Sequence, residues 1–131
     1  MADILVKTII QVAGSPKEHV EKAMNLLEDS LKKNHEIISS KLHKPEKKEN
    51  SKLYLSFLDM DILFKGISEI VGFIIDYHPS SIEIIEPETI KEDAQELTFV
   101  LNDLLQKIHN LDLQIKALLA KNKILESNKK D

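Results

Sequence analysis

The chain has 131 residues and a formal net charge of −4, with 42% hydrophobic and 31% charged residues. This length suits one domain with a core of ordinary size, and the composition is that of a soluble globular protein, not of a disordered or collagen-like one. The absence of cysteine excludes disulfides, thiolate metal sites and thiol nucleophiles.

The N-terminal segment, MADILVKTIIQVAGS, differs from a targeting sequence. It lacks the basic start and the long apolar run of a signal peptide. No stretch of the chain approaches the roughly 18 consecutive apolar residues of a membrane span. We therefore expect a cytoplasmic protein with no membrane-inserted segment.

The first predicted elements are a strand and a helix. Residues 4–13, ILVKTIIQVA, alternate with period two, which is typical of a strand. The next segment, GSPKEHVEKAMNLLEDSLKKN, favours a helix with Ser15 as its N-cap and Glu18 as the capping-box partner. One face of the strand carries Val6, Thr8, Ile10 and Val12, and the helical stripe carries Val20, Met24, Leu27 and Leu31.

The second and third strands are joined by a charged loop. HEIISSKLH, residues 35–43, predicts a strand that leads into the loop around Pro45. LYLSFLDMDILF, residues 53–64, has the clearest alternation in the chain and predicts another strand. One of its faces carries Tyr54, Leu58, Met60, Ile62 and Phe64, and the opposite face carries Leu53, Leu55, Phe57, Asp59 and Asp61.

A second helix and a fourth strand complete the first predicted domain. KGISEIVGFIIDYHP has apolar residues at helical spacing and ends at Pro79, and SSIEIIEP predicts the strand. The order β-α-β-β-α-β, with right-handed crossovers, indicates an α+β protein of the ferredoxin-like sandwich type. We place this domain at residues 1–88, a long C-terminal helix at 89–127, and a disordered tail at 128–131.

The C-terminal helix carries a heptad repeat. As one helix, residues 91–127 would span about 55 Å, whereas a compact domain of the preceding length measures nearer to about 30 Å across. Leucine occupies every d position when Ala94 is set as position a. The predicted dimer seam consists of Leu97, Leu101, Leu104, Ile108, Leu111, Ile115, Leu118, Asn122 and Leu125.

The flanks of this seam favour a parallel pair of identical helices. Lys107 would face Asp112 of a second copy, and Lys121 would face Glu126. We expect a homodimer, and a different helical protein is the alternative partner. Two points stay open in the sequence: whether the helix packs on its own sheet or on a second chain, and whether the pair is parallel or antiparallel.

Residue patterns for catalysis or metal binding are weak. The five histidines (His19, His35, His43, His78 and His109) have no metal-ligand spacing, and we expect them to be polar surface residues. Asp59 and Asp61 share a strand face and could bind a cation, but no third ligand is in view. We predict no catalytic, cofactor-binding or metal-binding residues, no cofactor, and no enzymatic activity.

Charge is unevenly distributed along the chain. Residues 31–52 carry seven lysines and three acids, whereas residues 53–103 carry eleven acids and two lysines. The basic loop at 41–52, KLHKPEKKENSK, is interpreted as a solvated hairpin loop, with contact to an anionic partner as the alternative. The chain has no arginine, and so it lacks the bidentate guanidinium that favours phosphate and base recognition.

Three segments of the chain resemble known classes of protein. The strand-GSP-helix opening and the element order over residues 4–86 resemble an ACT-type regulatory domain, which implies small-molecule binding at Gly14, Ser15 and Pro16. FIIDYHPSSIEIIEPETI, residues 73–90, is similar to the end of small archaeal-type α+β proteins and implies no activity. The last helix looks like a leucine zipper without the basic DNA-reading region, because acidic residues precede it.

Together these patterns predict a non-enzymatic protein-interaction module that homodimerises through its C-terminal heptad helix. One alternative is an ACT-like regulatory domain that binds a small molecule. The other is a weak RNA binder that uses the loop at 41–52, although the acidic segments argue against nucleic acid as a partner.

Overall fold

The computed structural model describes residues 3–129, with side chains through Ser127. The chain divides into two compact units, Met1–Lys91 and Glu92–Asp131. The first unit contains the sheet and two helices, and the second contains the last helix.

Within residues 3–91, the strands form one antiparallel sheet. They pair in the order β2-β4-β1-β5, and a two-residue strand, β3, pairs with β4. The bounds are β1 Ile4–Gly14, α1 Lys17–Asn34, β2 Glu36–Leu42, β3 Glu46–Lys47, β4 Tyr54–Phe64, α2 Ile67–Tyr77 and β5 Ser81–Glu86. The predicted ferredoxin-like β-α-β-β-α-β fold is therefore confirmed, with β3 as an addition inside the charged loop.

The core lies between one face of the sheet and both helices. β1 and β4 pair from Ile4–Phe64 to Gly14–Tyr54, so that alternate residues of the two strands share a face. Thr8 is buried among them, and its hydroxyl donates to the Met60 carbonyl at 3.1 Å. The alternation predicted for both strands is confirmed, because the strands contribute Ile4, Val6, Ile10, Leu58, Met60, Ile62 and Phe64 to the core. The helices contribute Val20, Met24, Leu31, Ile70 and Phe73.

The start of α1 differs from the predicted capping box. The helix begins at Lys17, Pro16 occupies the N-cap, and no side chain donates or accepts a capping hydrogen bond. Proline has no side-chain acceptor, and this boundary places Ser15 one residue before the N-cap. The predicted cap from Ser15 and Glu18 is therefore wrong.

The other face of the sheet is open within this unit, because α1 and α2 both pack on the core side. It carries half-buried Leu5 and Ile9 from β1, and exposed Phe57 beside half-buried Asp59 and Asp61 from β4. Antiparallel sheets often leave one face uncovered by helices. The open face thus carries apolar as well as acidic residues.

The second unit contains α3, Ala94–Lys129, a helix of 36 residues. Its first turn is fixed by Asp93, whose side chain accepts the Gln95 amide at 3.3 Å and whose carbonyl accepts the Leu97 amide at 2.9 Å. At 1.5 Å per residue, the helix is about 54 Å long. It includes residues 128 and 129 of the predicted tail, and residues 130 and 131 lie outside the described part of the chain.

None of the helices in residues 3–129 combines the length and the apolar character that crossing a bilayer requires.

Two neighbouring positions on α1 test the core assignment. Met24 is fully buried, whereas Leu26 is 62% exposed. We expect Met24→Ala to lower the free energy of unfolding by about 2–5 kcal/mol, because it leaves a cavity between helix and sheet. Leu26→Ala should change it by about 0.5 kcal/mol or less. Urea denaturation of both variants measures the difference, and equal losses would contradict the assigned helix face.

Candidate functional site

An apolar stripe runs along α3 and is exposed to solvent. Leucines at its d positions are well accessible to water, with Leu97 38% exposed and Leu118 60% exposed. Leu104 is half-buried, and Asn122 is exposed. Since side chains at these spacings lie on one side of a helix, the predicted seam residues form one continuous surface.

Charged pairs flank the stripe within the same helix. Lys107 bonds Asp103 at 3.2 Å, and Lys116 bonds Asp112 at 2.9 Å. Both pairs have i,i+4 spacing and lie at the surface, where such pairs contribute about 0.3–0.5 kcal/mol. Lys107 and Asp112, which the heptad predicts as partners between two chains, are therefore held close to the edges of the stripe.

Apolar residues also lie away from the seam. Leu105 and Leu119 occupy e positions, are exposed and widen the stripe. Phe99 and Leu113 occupy f positions on the opposite side of the helix, and both are exposed. The helix thus has one broad apolar surface and a second, interrupted one.

The candidate ligand turn at Gly14, Ser15 and Pro16 is tightly packed on its inner side. A Cβ atom added to Gly14 would lie 3.3 Å from Cγ2 of Val20, which is buried. Ser15 and Pro16 are exposed. Close packing against Val20 is a sufficient reason for glycine at this position, and the ligand role of the turn stays a prediction.

Polar side chains on the open face of the sheet bond one another in pairs. His43 Nε2 lies 2.9 Å from Asp59 Oδ2, and the Ser39 hydroxyl donates to Asp61 at 3.0 Å. Lys41 lies opposite Asp59 in the β2–β4 register. Asp59 and Asp61 thus share a face, as predicted, but each has its own partner. In residues 3–129, no group of three His, Asp or Glu side chains is arranged to hold a metal ion.

His35 was predicted to be a polar surface residue, and this prediction is wrong. Its side chain is 11% exposed, and its Nδ1 lies 2.9 Å from Glu69 Oε2. The ring packs edge-on against Phe64, Phe73 and Tyr77, with centroids 5.7–6.0 Å apart. His35 follows α1 and is largely buried because its ring packs on this aromatic cluster. The apolar periodicity of α2, which carries Phe73 and Tyr77, was the sequence signal for such a cluster.

The family comparison covers nearly the whole chain. The model of the MJ0538 family matches residues 5–130. The chain belongs to the MJ0538 family. The match includes the α+β unit and α3 together, so that the long helix is a part of the family pattern. The family name carries no reaction or ligand, and the ACT-like resemblance stays a prediction.

No curated protein and no solved structure matches the chain.

The two histidine–carboxylate pairs differ in burial and should differ in their contribution to stability. Glu69 accepts from the Lys65 amide at 2.8 Å as well as bonding His35. We expect Glu69→Ala to lower the free energy of unfolding by about 1.5–3 kcal/mol, because it leaves His35 without its partner. Asp59→Ala should cost about 1 kcal/mol or less, since the His43 pair is more than a third exposed. Chemical denaturation of the two variants provides the measurement, and the reverse order would contradict a structural role for His35.

Proposed function

We propose that the protein is a non-enzymatic interaction module that homodimerises through α3. The observation that carries this proposal is the exposed heptad stripe from Leu97 to Leu125. It continues for four heptads, about 42 Å of helix, and apolar heptads of this length are typical of coiled coils. Burial of such a stripe against a second helix removes apolar surface from water, which is the main driving force for association.

Charge complementarity favours a second copy of this chain as the occupant. In a parallel pair, each g position faces the e position five residues later on the partner. Lys107 would then face the partner's Asp112, and Lys121 would face the partner's Glu126, twice each by symmetry. The present intrahelical partners of Lys107 and Asp112 are exposed, and these side chains can bond across the seam as well.

The residues at the seam favour two strands. Isoleucine at a, in Ile108 and Ile115, combined with leucine at d is the pattern of parallel dimers. Asn122 is the one polar residue at an a position between 94 and 125. A single asparagine at such a position specifies register and strand number at some cost in stability. The resulting homodimer would hold two α+β units together, as expected of an adaptor or regulatory protein.

Two leucines on the same helix test the seam. Leu111, at a d position, is 40% exposed, and Leu113, at an f position, is 51% exposed. We expect Leu111→Glu to convert the full-length dimer into a monomer at micromolar concentration, because it places a charge in the apolar seam. Leu113→Glu should leave the dimer intact. Size-exclusion chromatography with light scattering gives the mass of each variant.

If both glutamate variants kept the dimer mass, the seam would not be the interface. If the unmodified chain were a monomer at every concentration tested, the stripe would instead be assigned to a different helical protein, the alternative partner.

Single cysteines test the parallel orientation, because the natural chain contains none. We expect Leu118→Cys to form a disulfide-linked dimer under mild oxidation, since equivalent d residues face each other in a parallel, in-register pair. Ala120→Cys, at an f position, is the matched control and should stay uncrosslinked. Non-reducing electrophoresis measures the product. An antiparallel pair would give no rapid crosslink at Leu118→Cys.

A further inference from the structure

A shallow cavity lies at one corner of the open sheet face. It has a volume of about 270 Å³. Its floor is formed by Leu55 and Phe57, which are two residues apart on β4 and therefore share a face. The intervening Ser56 points to the buried side. Phe57 is 37% exposed, so its ring is accessible to a ligand in the cavity.

Cations surround this floor. Lys44, Lys47 and Lys48 line the cavity, and Glu46 is the carboxylate among its lining residues. His43 also borders the cavity and bonds Asp59 through Nε2. The lining therefore has three lysines against one acid, in a protein whose net charge is negative. This local excess of positive charge favours an anion.

Backbone hydrogen bonds hold the lysine-rich loop against β4. The His43 amide donates to the Phe57 carbonyl at 2.9 Å, and the Lys48 amide donates to the Leu53 carbonyl at 2.8 Å. Between them, β3 pairs Glu46 with Leu55 and Lys47 with Tyr54, so that Glu46 shares the face of the floor and Lys47 shares the core-side face of Tyr54. The Ser56 hydroxyl donates to the His43 carbonyl at 2.8 Å from the other side of the sheet. The loop that the sequence predicted as a solvated hairpin loop is thus anchored to β4 along its length.

An aromatic floor with a cationic rim suits a ligand that has a flat ring and a phosphate group. Bases stack on exposed aromatic side chains, and lysines bind the phosphates as point charges. The size of the cavity and the acidic residues next to it limit the ligand to a single nucleotide. Beyond His43, the same face carries Asp59 and Asp61, which repel a longer polyanion that continues along the sheet.

We propose that this cavity binds a single nucleoside phosphate, with the ring on Phe57 and the phosphates at Lys44 and Lys48. The lining residues all belong to the first unit, and the proposal does not rest on the proposed homodimer.

The test is an NMR titration of the full-length chain with four probes. ATP supplies ring and phosphates, adenosine supplies the ring alone, inorganic triphosphate supplies the phosphates alone, and decauridylate supplies a single-stranded RNA. We expect ATP to shift the amide signals of residues 43–48 and 55–57 and to bind more tightly than adenosine or triphosphate. Decauridylate should bind no more tightly than ATP.

Variants assign the roles within the cavity. Phe57→Ala should weaken ATP binding about fivefold or more, the lower end of what one stacked base contributes, and should leave triphosphate binding unchanged. Lys48→Gln should weaken both ligands, and Glu46→Gln should strengthen both. Lys52→Gln is the matched control, because Lys52 belongs to the same loop but lies outside the lining.

Three results would overturn the proposal. One is the absence of shifts with ATP at low salt. Another is equal affinity for triphosphate and ATP together with no effect of Phe57→Ala, which would reduce the site to surface lysines. The third is tighter binding of decauridylate than of ATP with shifts that extend past Asp59, which would assign the face to single-stranded RNA.

Discussion

A single straight helix cannot bury an apolar stripe against itself, and this constraint governs the second unit of the molecule. α3 has 36 residues, and leucines and isoleucines of its heptads are exposed from Leu97 to Leu125. Exposure of such an apolar surface to water is unfavourable, so its burial against a partner helix with a complementary stripe would lower the free energy. The α+β unit has a hydrophobic core of its own, built from buried residues between Ile4 and Phe73.

The fold was predictable because its signals are local and periodic. Alternation in ILVKTIIQVA and LYLSFLDMDILF determines which side chains of β1 and β4 are buried, and the pairing register brings those side chains onto one face. The heptad was predictable for the same reason. What the sequence did not reveal depends on atoms that are distant along the chain. β3 requires Glu46 to meet Leu55, and the burial of His35 requires Phe64 and Phe73 to converge on it.

The candidate sites also differ in whether they are built from one segment or from several. The proposed seam belongs to one helix, and its residues could be named from spacing alone. The cavity on Phe57 combines a loop with a strand that follows it, and neither segment indicates a ligand by itself. The turn at Gly14 shows the opposite case, since a glycine that looked suited to a ligand has a packing reason in Val20. Sequence patterns are thus most informative for surfaces built from a single element.

The most direct measurement is sedimentation equilibrium of the unmodified chain over a range of concentrations. We expect the mass of two chains at high concentration, with dissociation towards one chain on dilution, because the seam is the sole contact proposed between the copies. The mass of a single chain at all concentrations would contradict homodimerisation through α3.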